Sequence, residues 1–118
     1  GVYWTDGDQS SEMAAAVRKA VEADPTLHGT SSLRMGMEIL DQRTSKGEAL
    51  AWLCESLSIP SECSVAFGDS PNDIEMIKAA GDGVAMSNAY PEVRAIADHV
   101  TGTNDEAGFA QYLEGLLA

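Results

Sequence analysis

Ser64-Val65-Ala66-Phe67-Gly68-Asp69-Ser70-Pro71-Asn72-Asp73 is the stretch that decides the fold. Its first four residues form a short apolar run, and Gly68 lets the backbone turn sharply at the end of it. Pro71 suits the first turn of a helix, Ile74, Ile77 and Ala80 follow on one face, and Gly81 stops it. The stretch reads as a buried strand that opens through an acidic loop into a helix.

Reading outward, the same alternation continues on both sides. Upstream, Leu50, Leu53, Cys54 and Leu57 recur at helical spacing and predict an amphipathic helix over 46–57, with Pro60 beyond its end. Downstream, Gly83-Val84-Ala85-Met86 predicts a second buried strand. Pro91 then opens a helix that turns Val93, Ile96 and Ala97 inward. His99-Val100-Thr101 predicts a third strand. Asn104 or Asp105 can cap a last helix whose inner face is Phe109, Leu113, Leu116 and Leu117. From residue 46 the order is therefore α-β-α-β-α-β-α. That order means an α/β fold with a parallel sheet and helices on its faces. Ligands in such sheets bind at the carboxyl ends of the strands, where the 68–73 loop lies.

The first part of the chain differs in character. Val2-Tyr3-Trp4 reads as a short strand ended by the turn residues Asp6-Gly7-Asp8. A helix is expected over 12–23, with Met13, Val17, Ala20 and Val21 inward and Pro25 as its stop. Two weaker strands follow near 27–32 and 36–40, and the change of character comes after Asp41-Gln42-Arg43-Thr44.

Composition narrows the function classes. The 118 residues carry nineteen Asp and Glu against seven Lys and Arg, a formal charge of −12. With 44% apolar residues the chain is globular rather than disordered. Its acidity argues against nucleic-acid and anionic-membrane partners, because phosphate backbones and headgroups need a basic surface. No apolar run approaches a membrane span, and Gly1-Val2-Tyr3-Trp4 lacks signal-peptide character. Cys54 and Cys63 are too few for a disulfide framework and lack metal spacing, so a packing role in a reducing cytoplasm is expected.

The chemistry concentrates in the acidic loop. Asp69 follows the strand directly and Asp73 stands four residues on, near a helix start. Two carboxylates and the Asn72 amide make a hard, oxygen-rich site suited to Mg²⁺. Acidic residues there would equally serve as ordinary helix-terminus chemistry. Thr44-Ser45-Lys46-Gly47 opens the helix before it. A lysine in that position opposes the helix dipole, and an anion facing Lys46 would explain it.

Taken in order, Ser45-Lys46-Gly47…Leu53, Val65 to Met76, Gly83-Val84-Ala85-Met86-Ser87-Asn88-Ala89 and Val93…Ala97-Asp98-His99-Val100-Thr101 closely resemble the haloacid dehalogenase (HAD) superfamily. Within it they are similar to the Cof-type phosphatases with a large α/β cap. The resemblance covers residues 36–118. It implies the C-terminal half of a HAD-like Rossmannoid parallel sheet, preceded by a remnant of an α/β cap. Residues 1–43 would be the C-terminal portion of the cap and residues 44–118 the C-terminal half of the catalytic core. The resemblance further implies that Lys46 stabilises the nucleophile and the transferring phosphoryl group. Asp69 would bind Mg²⁺, and Asp73 would be a ligand or an orienter of the ligands. Ser70 and Asn72 would contact phosphate or metal-bound water, and Asn88 borders the site or simply makes a turn. The implied reaction is Mg²⁺-dependent hydrolysis of a phosphomonoester through an aspartyl-phosphate, with a small phosphorylated metabolite such as a sugar phosphate as substrate.

The family's first motif, a strand ending in Asp-x-Asp with the nucleophile, and its second, a strand ending in Ser or Thr, have no room here in their usual form. The expectation is that the chain lacks the nucleophile. The competing reading makes Val2 to Ser10 a degenerate first motif, with Asp6 and Asp8 as its acids and Thr30, Ser31 or Ser32 as the second. Without the first half, the strand at 64–67 would expose an edge that invites self-association. Other functions left open are a non-catalytic module acting in binding or assembly, and a phosphomutase-type phosphotransferase.

Overall fold

A computed structural model describes residues 2–3, 12–30 and 36–118, with backbone only for 2–3. The chain divides into two compact units, Gly1–Ser45 and Lys46–Ala118.

The first unit contains β1 (Val2–Tyr3), α1 (Glu12–Glu22), β2 (Leu27–Thr30) and β3 (Gly36–Asp41). Its strands form an antiparallel sheet in the order β1-β3-β2, with Leu27 opposite Asp41 and Thr30 opposite Glu38. Asp24 ends α1 by accepting from the backbone N–H of Thr26 at 2.9 Å and from its hydroxyl at 2.7 Å. The helix buries Ala14 and Val21, whereas Met13 and Ala20, expected inward, are exposed. Trp4, Asp6, Asp8, Ser31 and Ser32 lie outside the described residues, and with them the competing first motif; Thr30, one candidate for the second, ends β2.

The second unit follows the alternation read from the sequence. Its elements are α2 (Lys46–Leu57), β4 (Val65–Gly68), α3 (Ile74–Ala79), β5 (Asp82–Met86), α4 (Pro91–Ile96), β6 (His99–Thr101) and α5 (Gly108–Leu117). β4, β5 and β6 form a parallel sheet in that order, with Phe67 opposite Val84 and Ala85 opposite Val100. β5 is central and buried on both faces, as its unbroken apolar run requires. Ile77, Ala85, Met86, Ala89 and Val93 form the core, with Phe67, Ile74, Tyr90 and Ile96 packed against it.

Two local readings need correction. The helix expected from Pro71 begins as a 3₁₀ turn over Pro71–Asp73 and becomes α-helical only at Ile74. The last helix is not capped by Asn104 or Asp105. It begins at Gly108, after Ala107 in the left-handed region at φ 55°. Of its expected inner face, Phe109, Leu116 and Leu117 are exposed. The cause is tertiary: Gly108 packs against Gly102, where a Cβ on Gly108 would meet the Gly102 carbonyl oxygen at 2.3 Å. Thr101 fixes the same place by donating its hydroxyl to the Gly108 carbonyl at 2.7 Å.

Candidate functional site

The site lies at the carboxyl end of β4, inside the second unit. Gly68 ends the strand with its backbone against Asp73; a Cβ there would sit 2.4 Å from the Asp73 Cβ. This close approach lets Asp73 fold back under the loop. Its Oδ2 accepts from the backbone N–H of Asp69 at 3.0 Å and of Ser70 at 3.1 Å. Its Oδ1 accepts from Lys46 Nζ at 2.5 Å, across 27 residues of sequence. The Asp73 side chain is 7% exposed and that of Lys46 50%. The aspartate is thus a buried anchor for a lysine that is half exposed.

The placement of Lys46 follows from helix packing. α2 lies against α3 so closely that the Gly47 backbone approaches the Glu75 carbonyl. That contact sets the first residue of α2 beside the loop that precedes α3. The lysine is unfavourable toward its own helix terminus, and Asp73 offsets this.

The five residues singled out by sequence divide into two groups. Lys46, Asp69 and Asp73 line one cavity of about 480 Å³. Asp69 is exposed and accepts from the Ser70 hydroxyl at 3.1 Å, while its carbonyl accepts from the Tyr90 N–H. Ser70 is buried behind it. Asn72 is partly buried, and its Oδ1 is shielded from solvent without a hydrogen-bond donor. A buried acceptor in that state is costly unless a cation or an unseen donor satisfies it.

The donor chemistry fits a hard divalent cation in part. Asp69 and Asn72 offer oxygen ligands, and Ser70 offers a hydroxyl. Asp73 has already committed both oxygens to protein donors, which favours the orienting role over direct ligation. Among the described residues no group of three His, Cys, Asp or Glu could hold a metal. Mg²⁺ commonly takes only one or two carboxylates and completes its shell with water and substrate phosphate.

No pattern in the sequence signals the rest of the cavity wall. Phe67, Met76, Met86 and Phe109 make it apolar, and Asn104 adds a carboxamide. Phe67 meets Phe109 edge-on at 4.6 Å and Tyr112 at 5.6 Å. Asn104, a cap candidate by sequence, reaches this cavity through the tertiary fold. Asn88, the other loop residue considered, is exposed in a turn after β5. His99 donates its Nδ1–H to Asp82 Oδ1 at 2.8 Å. Cys54 is buried and Cys63 exposed, both as free thiols.

Three comparisons place this architecture among known proteins. The model of a family described as haloacid dehalogenase-like hydrolase matches residues 3–113. Phosphatase YwpJ of Bacillus subtilis is 48% identical over 87 residues, which cover 74% of this chain and 30% of YwpJ. The 5-amino-6-(5-phospho-D-ribitylamino)uracil phosphatase YwtE of the same organism is 40% identical over 89 residues, covering 75% of this chain and 31% of YwtE. The structure of a haloacid dehalogenase-like hydrolase from B. subtilis superposes with a TM-score of 0.85 at 42% identity, covering 91% of this chain and 38% of that one. The chain therefore spans about a third of the length of these curated relatives.

Proposed function

The chain belongs to the haloacid dehalogenase-like hydrolase family, and from that premise we propose that it carries the lysine and metal-binding half of a Mg²⁺-dependent phosphomonoester hydrolase site. The observation that carries this reading is the Lys46–Asp73 pair set beside the exposed Asp69 in one cavity. A cation held by a buried carboxylate, next to an exposed carboxylate, is arranged to receive an anion and a divalent metal together.

Each residue has a distinct task in this reading. Asp69 holds the metal, with Asn72 Oδ1 and Ser70 as the neighbouring oxygens. Asp73 fixes both the loop backbone and the direction of Lys46. Lys46 presents its ammonium to the phosphoryl oxygens, which carry the negative charge of the ester through the transfer. Bound Mg²⁺ would add Lewis-acid neutralisation of the same oxygens.

We place residues 1–43 as the C-terminal portion of an α/β cap and residues 44–118 as the C-terminal half of a Cof-type core, acting in the cytoplasm. The nucleophilic aspartate would then come from a strand beside β4. The substrate is a small phosphorylated metabolite of the sugar-phosphate kind. The ribitylamino phosphate in the name of one relative supports that class.

The test is an assay with p-nitrophenyl phosphate and Mg²⁺, together with calorimetric titration of Mg²⁺. The expected result is Mg²⁺ binding that Asp69→Ala abolishes, without turnover by the 118-residue chain. Turnover that Asp69→Ala abolishes would place the nucleophile within this chain, at Asp6, and overturn the half-site reading. Absence of Mg²⁺ binding would overturn the metal assignment and favour a non-catalytic module.

A further inference from the structure

The turn between β6 and α5 is built more firmly than a connector needs. Thr103 donates its backbone N–H to Glu106 Oε2 at 3.0 Å and its hydroxyl to the same oxygen at 2.8 Å. Glu106 returns its own N–H to the Thr103 hydroxyl at 3.1 Å. Gln111 donates its side-chain amide to the Glu106 carbonyl at 2.6 Å. The Thr103 donors, backbone N–H first, hold the Glu106 carboxyl below its usual pKa. The turn ends with Ala107 at φ 55°, a conformation that costs a non-glycine residue energy and persists only where its surroundings impose it.

Inside this braced turn sits Asn104. Its carbonyl accepts from the Ala107 N–H, but its carboxamide makes no hydrogen bond among the described residues. Asn104 is exposed and lines the cavity that holds Lys46 and Asp69. The polar groups of that cavity thus come from two places: the Lys46–Asp69–Asp73 group, and the turn. The remainder of its wall is apolar.

An ester presents two parts to such a cavity. The phosphoryl group only accepts hydrogen bonds and carries the charge, so it matches the Lys46 ammonium. A carboxamide both donates and accepts, and a hydroxyl does the same. We propose that Asn104 is a specificity residue of this site, hydrogen-bonding a hydroxyl on the alcohol part of the substrate while Lys46 grips the phosphate. The inference rests on the phosphate-site reading and names which part of the substrate the turn reads.

The experiment compares inorganic phosphate with D-ribose 5-phosphate by calorimetry, at saturating Mg²⁺, on the full chain. Asn104→Ala should weaken ribose 5-phosphate about fivefold, as loss of one neutral hydrogen bond does, and leave inorganic phosphate unchanged. Should the alanine variant misfold, Asn104→Ser keeps turn chemistry, shortens the reach and should give the same split. Equal weakening of both ligands would assign Asn104 to the phosphate and overturn the proposal, as would no effect on either. If the unaltered chain binds neither ligand, the phosphate-site reading itself fails and the inference falls with it. Binding of phosphate without the Asn104 split removes the inference alone.

Discussion

At the scale of single residues, Asp73 is the pivot. It joins Lys46, the β4 loop and the start of α3 through one buried carboxylate. Asp73→Ala leaves two loop N–H groups and a lysine without their acceptor. Lys46 is half exposed and recovers water, so the cost is discounted to about 2–4 kcal/mol. Urea denaturation should show that loss, and an unchanged midpoint would contradict the anchor role. Gly68→Ala tests the same geometry from below. Its Cβ would collide with the Asp73 Cβ, so both stability and phosphate binding should fall, as measured by thermal melting and calorimetry. The candidate site residues are legible as residue types in order along the chain. Their pairing is not. Nothing local tells Lys46 to meet Asp73 across 27 residues, and that contact follows from α2 packing on α3.

At the scale of elements, the parallel alternation from α2 to α5 could be read because short buried strands and amphipathic helices carry different periods. α2 spans the residues its spacing predicts, Lys46–Leu57. The start of α5 departs from the sequence pattern because capping chemistry at Asn104 and Asp105 competes with a non-local contact, Gly108 on Gly102, and the contact wins. α5 also has a tether that no pattern signals. Tyr112 donates its hydroxyl to Asp82 Oδ2 at 2.7 Å, and His99 Nδ1 lies 2.8 Å from Asp82 Oδ1. The Tyr112 hydrogen bond, and to a lesser degree His99, holds the Asp82 carboxyl below its usual pKa. The same bond raises that of Tyr112. The depressed aspartate contributes stability above about pH 4, fading as pH falls through its folded pKa. The raised tyrosine contributes below about pH 10, fading as pH rises through its folded pKa. Tyr112→Phe should therefore lower Tm most between those limits, and the difference from the parent should shrink on both sides. A pH-independent difference in thermal melts would show that the tether acts through packing alone.

At the scale of the whole molecule, two features stand out. β4 is an edge of its sheet, with no strand on its outer side among the described residues. Trp52, Leu53, Leu57 and Val65 are exposed in the same unit. Unpaired edges and apolar surface favour association. Sedimentation should show concentration-dependent self-association that Val65→Lys, a charge at the strand start, reduces; a monomer at all concentrations would contradict this. The second feature is the charge of −12, which repels a phosphate ester unless a local cation and a metal reverse the sign. Lys46 supplies a cation in this cavity, and in the proposed reading the exposed Asp69 would hold the metal. The most direct measurement is calorimetric titration of the chain with inorganic phosphate, with and without Mg²⁺. The account predicts binding only with Mg²⁺, lost in both Lys46→Ala and Asp69→Ala. Binding that ignores Mg²⁺ and survives both substitutions would contradict it.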